Sequence, residues 1–220
     1  MGPTLDPLLS WLRHQRSKGI TYVQNSTGLK RILMDLDLLK LEVETCTRCP
    51  LHKNRTHAVF GSGPYQADLL IVGEAPGREE DLEGRPFCGR SGELLDRMLN
   101  AISIPREKAF ITSVVKCRPP NNRAPLSGEI KACLPFLNSQ TDAVSPIAIL
   151  ALGEVAARVL LGKRARLKEL RGTVHEKKGR KIVVTYHPSY ILRFTGSKQE
   201  KTIKKEAWED LQLLLSLLYK

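Results

Sequence analysis

Four of the five cysteines in this chain stand in the order C-x2-C-x67-C-x15-C, as Cys46, Cys49, Cys117 and Cys133. Several chemistries use such thiols. A redox disulfide of the thioredoxin kind needs only a CxxC beside a strand–helix unit, and would leave Cys117 and Cys133 without a role. A zinc ribbon or finger closes with a second short pair, which is absent here. Four thiolates from two distant segments suit a 4Fe-4S cluster, whose iron corners each take one sulfur. Spacing favours the cluster over zinc, and buried structural cysteines remain a further reading. Cys88, in "GRPFCGRSG", is left over as a packed small residue or a free thiol.

Two more stretches carry unusual chemistry. "GEAPGREED", from Gly73 to Asp81, joins a glycine- and proline-containing turn to a run of carboxylates, and "HPSYILR" opens on His187. The formal charge of +12 is concentrated between Lys163 and Lys205, where 14 Lys and Arg face 3 Glu, a net of +11. A polyanion is the natural partner of such a surplus, because each neutralised phosphate releases condensed counterions. A solvated basic surface with no partner is the competing reading.

These residues need elements to hold them. "ADLLIVGEAPG", "AFITSVVKC", "PIAILALG" and "RKIVVTYHPS" are apolar runs that read as strands. Between them lie helical patterns: "SGELLDRMLNAISI" with a serine start, "SGEIKACLPFLNSQTDAV", and "EVAARVLLG" closed by Gly162. "KKEAWEDLQLLLSLLYK" is a terminal amphipathic helix. Alternation of this kind predicts an α/β protein whose mostly parallel sheet is covered on both faces. Loops leaving the carboxyl ends of such strands form the binding crevice. That rule selects "GEAPGREED", "SVVKCRPPNNRAP", "LGEVA" and "HPSYILR". Residues 1–40 read as a helical N-terminal extension, with "DPLLSWLRHQRS" as one helix and a second one capped by Ser26–Thr27. Residues 41–220 read as the main domain.

From about Leu41 to Arg193 the chain resembles the family 4 uracil-DNA glycosylases, the iron–sulfur branch of that superfamily. "CTRCPLHKNRTHAVFGSG", "IVGEAPGREEDLEGRPF", "VVKCRPPNNRAP" and "HPSYILR" match the family pattern in order and at fitting separations. The resemblance implies a three-layer α/β/α sandwich around a four-stranded, mostly parallel sheet. It assigns Cys46, Cys49, Cys117 and Cys133 to a 4Fe-4S cluster with no part in bond cleavage. It also implies a monofunctional hydrolase that removes uracil from single- or double-stranded DNA and leaves an abasic site.

Such an enzyme extrudes the base and holds it against groups that identify and expel it. The bond breaks with cationic character on the sugar and negative charge on uracil, so donors must face the departing base. Gly73, Ala75, Pro76 and Gly77 permit close approach of the nucleotide. Glu74 is the first candidate for positioning water or supporting the sugar cation, and Glu80 the second. Family 1 enzymes place an aspartate where this loop has Ala75, so their water-activating group does not carry over. Glu80 and Asp81 read equally well as charge at a helix N-terminus. By resemblance, Phe87 stacks on uracil, with an ordinary core phenylalanine as the competing reading, and His187 donates to uracil O2. Ser189 and Arg193 contact phosphates, and Tyr190, Ile191 and Leu192 form a bulky stretch able to wedge into the base stack. Lys116, Arg118 and Arg123 are expected to face the polyanion.

One position departs from the family. Ser113 stands where the motif usually has asparagine, an amide that reads the uracil edge with a donor and an acceptor together. A hydroxyl offers one proton on a shorter side chain. Altered base preference, towards hypoxanthine or xanthine, is therefore the first alternative. A non-catalytic iron–sulfur DNA-binding protein is the second, and the combination of Glu74, Phe87 and His187 argues against it. The N-terminus lacks the pattern of a secretory signal, and no apolar run is long enough to cross a bilayer. The expectation is a cytoplasmic monomer with DNA as its partner and no membrane association.

Overall fold

A computed structural model describes residues 28–219. The helix expected at "DPLLSWLRHQRS" and the Ser26–Thr27 cap lie outside them. The chain divides after Met34 into two units, of which the larger is residues 35–220. Helix α1, Gly28–Glu44, runs through the division. Leu36, Leu39 and Val43 recur on one face of it and are buried in the core of the larger unit.

Five strands follow: β1 Leu69–Gly73, β2 Ala109–Ser113, β3 Ala148–Leu152, β4 Val174–Lys177 and β5 Arg180–Thr185. Their order in the sheet is β2-β1-β3-β5-β4. The four strands expected from the sequence are mutually parallel. The fifth, β4, pairs antiparallel with β5, so the sheet has one strand more than expected. "VHEK" carries no apolar strand pattern because it is an edge strand whose exposed face needs no apolar residues. Lys178 and Gly179, both with positive φ, form the two-residue turn that folds it back on β5.

Every residue of β1, β2 and β3 is buried, as expected of strands covered on both faces. Side chains alternate between two cores. Leu70, Val72, Phe110, Ile149 and Val184 pack with α1, α4 (Ser127–Val144) and α5 (Glu154–Leu161). Leu69, Ile71, Ile111, Leu150 and Val183 pack with α3 (Arg90–Ala101), α7 (Pro188–Arg193) and α8 (Glu200–Leu218). This is the three-layer α/β/α arrangement. The short helices α2, Arg78–Glu83, and α6, Leu167–Leu170, follow β1 and α5.

Three local details bear on the site. Gly162 closes α5 in the left-handed conformation. Helix α3 is preceded by Gly89 at its N-cap, and the expected serine start lies two residues further on as Ser91, within the first turn. Behind the last strand, the fully buried Asp210 of α8 takes the Arg171 guanidinium at 3.1 and 3.2 Å and the Gly172 N–H at 3.0 Å. Arg171 also donates to the Glu206 carbonyl, and the Tyr186 hydroxyl donates to the Glu206 carboxylate at 2.6 Å. This network ties α8 to the segment that carries His187.

Candidate active site and sulfur pocket

The loops leaving β1, β2, β3 and β5 meet at one crevice of about 1020 Å³. Glu74, Ala75, Pro76, Gly77, Glu80, Phe87, Ser113, His187, Ser189 and Arg193 line it together. Glu74, Ala75, Pro76, Gly77, Ser113 and His187 come from strand ends or the turns just after them, Glu80 from α2, Phe87 from the segment between α2 and α3, and Ser189 and Arg193 from α7.

His187 is the N-cap of α7. Its Nδ1 accepts the Ser189 backbone N–H at 3.2 Å and lies 2.8 Å from the Ser189 hydroxyl. An Nδ1 that accepts a backbone N–H carries no proton, so the neutral ring holds its proton on Nε2 as a donor. Burial, assisted by the Arg193 charge, pulls the imidazole down to about 4. Ser189, expected at phosphates, thus fixes the histidine tautomer. Phe87 lies beside His187 with ring centroids 5.5 Å apart. It adopts φ +50, a conformation that costs a bulky residue about 1–3 kcal/mol and persists only where the surroundings impose it. Gly73 leaves room for that ring, since a Cβ there would lie 2.8 Å from Phe87 Cζ.

Glu74 is half-buried, and burial raises its carboxyl above the ordinary carboxylate range, with Arg193 acting in the opposite direction. Glu80 is engaged differently. Its two oxygens accept the Gly77 N–H at 2.9 Å and the Cys88 N–H at 3.3 Å, which caps α2 and holds the loop before Phe87. Asp81 does not line the crevice. It is buried and accepts the Thr56 N–H at 3.0 Å, tying the 56–57 segment to α2. Of the bulky stretch, Ile191 belongs to the core, while Tyr190 is exposed and stacks on Tyr186 with centroids 5.2 Å apart. Tyr186 lines the crevice as well, with no sequence signal beyond its place before His187.

The loop after β2 corrects one expectation. Lys116 does not face solvent: it is 1% exposed, and its Nζ donates to Thr112 Oγ1 and the Ser113 carbonyl, both at 2.6 Å. Sequence shows only a lysine between apolar strand and cysteine; the turn that swings it inward is tertiary. Arg118 donates to Asn122 Oδ1 at 2.7 Å. Arg123 forms a two-pronged pair with Glu129 at 2.7 and 2.9 Å, while remaining on the crevice lining.

Cys46, Cys49, Cys117 and Cys133 line one small pocket beside that loop, with Arg48, Arg55 and Lys116. All five cysteines are free. Cys88 lies apart, beside Glu80, its thiol pushed up to about 11 by burial and neighbouring carboxylates. The pocket sulfurs receive N–H donors: Arg48 N to Cys46 at 3.4 Å, Arg55 Nη1 to Cys117 at 3.2 Å, and Lys116 N to Cys133 at 3.3 Å. Donors aimed at sulfur fit thiolates better than neutral thiols. Among the described residues, no three Cys, His, Asp or Glu side chains converge on one point as a single ion requires. Arg55 had no signal in the sequence, because its partner stands 62 positions away.

A family profile described as "Uracil DNA glycosylase superfamily" matches residues 60–212. The type-4 uracil-DNA glycosylase of Thermotoga maritima is 40% identical over 187 residues, covering 84% of this chain and 95% of its own length. That of Pyrobaculum aerophilum is 45% identical over 168 residues, covering 73% and 86%. That of Saccharolobus solfataricus is 44% identical over 167 residues, covering 72% and 77%. The chain belongs to the type-4 uracil-DNA glycosylases. The superfamily match takes in all four loops of the crevice and begins after Cys46 and Cys49, so the sulfur pocket joins a segment outside that match to two residues within it.

Proposed function

We infer that this chain is a DNA-repair hydrolase that cleaves the bond between uracil and deoxyribose in DNA and leaves an abasic site. The observation that carries this reading is the meeting of Phe87, Glu74 and a proton-donating His187 in one crevice at the strand ends. An extruded uracil stacks on Phe87 and presents O2 to the His187 Nε2–H. As the N1–C1′ bond breaks, the electron pair leaves with uracil, and the donor meets the charge that develops on O2. A neutral imidazole serves here without having to lose a second proton. Glu74, as carboxylate, supports the sugar cation and orients the water whose oxygen bonds to C1′; that water's proton passes to Glu74 or to solvent. Ala75, Pro76 and Gly77 let the nucleotide approach, while the space over Gly73 is taken by the Phe87 ring. Arg193 and the basic 163–205 segment hold phosphates.

Cys46, Cys49, Cys117 and Cys133 would hold a 4Fe-4S cluster. When bound, it cross-links the 46–49 turn, the loop after β2 and helix α4, and supplies no chemistry to hydrolysis. DNA as substrate supports a cytoplasmic setting, and the proposed enzyme acts as a monomer. Among the described residues no helix is long and apolar enough to cross a membrane.

Ser113 favours a finer reading of the same site. It is buried on the crevice floor, where a position built on Gly73 would lie 3.3 Å from its hydroxyl. A lone hydroxyl cannot make the paired contact of an amide without a bridging water, and sites lose selectivity when such a pair is lost. Uracil excision is then weakened relative to hypoxanthine and xanthine. The test incubates oligonucleotides bearing each base with the protein and with Ser113→Asn, followed by alkali. Scission at uracil is expected, faster in the variant. Equal uracil rates refute the Ser113 reading, and a gel shift without scission at any base refutes the enzyme in favour of the binding protein.

A further inference from the structure

Lys116 poses an electrostatic problem that neither the crevice nor the sulfur pocket explains alone. Its ammonium is removed from water, and its hydrogen-bond acceptors, Thr112 Oγ1 and the Ser113 carbonyl, are neutral. Among the described residues no carboxylate forms an ion pair with it. A buried cation without an anion is costly. The anionic chemistry nearest to it is sulfur: Lys116 lines the same small pocket as the four cysteines. Its backbone N–H also donates to Cys133 Sγ.

The same side chain reaches the crevice. Ser113, whose carbonyl it holds, lies on the crevice floor. Thr112 Oγ1 in turn donates to the Phe60 carbonyl at 2.8 Å, which also takes Gln140 Nε2 of α4 at 2.7 Å. A continuous buried polar chain therefore runs from α4, the helix that bears Cys133, through Lys116 to the end of β2.

We propose that Lys116 is a positioning residue that neutralises the four-thiolate centre and, with the same ammonium, fixes the Ser113 end of β2 on the crevice floor. This rests on the 4Fe-4S reading given above. Four thiolates leave such a centre with net negative charge, so a buried cation beside it favours the added electron and the bound state alike. Two of the ammonium's three protons go to β2, one to Thr112 Oγ1 and one to the Ser113 carbonyl.

The test uses the full chain, purified anaerobically, as Lys116→Met and Lys116→Gln. Glutamine keeps amide donors and loses the charge; methionine loses both. Iron per chain, the midpoint potential of the cluster, and kcat and KM on a uracil oligonucleotide are measured for each. Both variants are expected to shift the potential to more negative values, or to lose iron while keeping native circular dichroism. Lys116→Met should lower kcat about tenfold, with Lys116→Gln falling between it and the parent. If Lys116→Met does not fold, Lys116→Gln carries the measurement. Iron-replete variants with the parent's potential overturn this inference alone. An iron-free parent protein overturns the cluster reading and this inference with it. Unchanged kcat in both variants overturns the link to the crevice.

Discussion

His187 illustrates how one residue's chemistry is set by two neighbours. Ser189 takes Nδ1, which leaves the proton on Nε2, and burial keeps the ring neutral. Replacing it with alanine removes a donor aimed at developing charge, and kcat should fall by about 100-fold or more; single-turnover excision measures this. With a folded pKa of about 4 against about 6.5 in the unfolded chain, the unfolded state takes up the proton first as pH falls. The stability tied to the neutral ring is complete above about pH 6.5 and is lost as pH falls towards 4. His187→Gln should flatten that limb of a melting-temperature profile. Activity should show a separate acid limb, set by Glu74 above the ordinary carboxylate range, because the carboxyl loses its charge as pH falls. Glu74→Gln should abolish this limb together with about 100-fold of kcat.

The elements that aim these residues have their own tolerances. Gly153 follows β3 as the N-cap of α5 with φ +87, and a Cβ there would stand 3.1 Å from His187 Cβ. With ψ 175 this is a backbone region open essentially to glycine alone, so Gly153→Ala combines strain of about 1–3 kcal/mol with pressure on the histidine. A fall in kcat larger than the change in KM is the expected signature, read from steady-state kinetics. Helix α8 contributes from a distance. Asp210→Ala would leave the Arg171 guanidinium without its buried carboxylate, and breaking such a pair costs about 3–5 kcal/mol. Urea unfolding should register the loss, and a midpoint unchanged from the parent would show that Glu206 alone suffices for Arg171.

At the scale of the whole molecule, charge and sulfur act on different steps. Arg166, Lys168 and Arg193 belong to the basic 163–205 segment and line the crevice. Lys168→Ala should weaken binding of every oligonucleotide alike and reduce the slope of log Kd against log salt by about 0.9, as loss of one phosphate contact requires. Titrations from low to moderate salt provide the slope. The cluster reading predicts a broad absorption band near about 400 nm in anaerobically purified protein. Chelation should bleach that band and lower the melting temperature, because it frees the 46–49 turn from Cys117 and Cys133.

The sequence by itself determined the layers and the loops. Four apolar runs alternating with helical patterns dictate a parallel sheet, and a parallel sheet puts its chemistry at the carboxyl ends of its strands. Glu74, Ser113 and His187 are thereby placed at one edge, whereas Phe87 is assigned there only by the family resemblance. The cysteine spacing likewise named four sulfurs without deciding what they hold. Tertiary structure alone decided the rest, because it depends on pairings between residues far apart in the chain. Asp81 is taken up by Thr56, Glu80 by the Gly77 and Cys88 amides, and Lys116 turns inward to lie between β2 and the sulfur pocket. The edge strand β4 was hidden for a related reason: its register is imposed by β5, and a half-exposed strand needs no apolar pattern of its own. Periodicity reports which face of an element is buried, whereas the use of each polar group depends on what the fold brings opposite it.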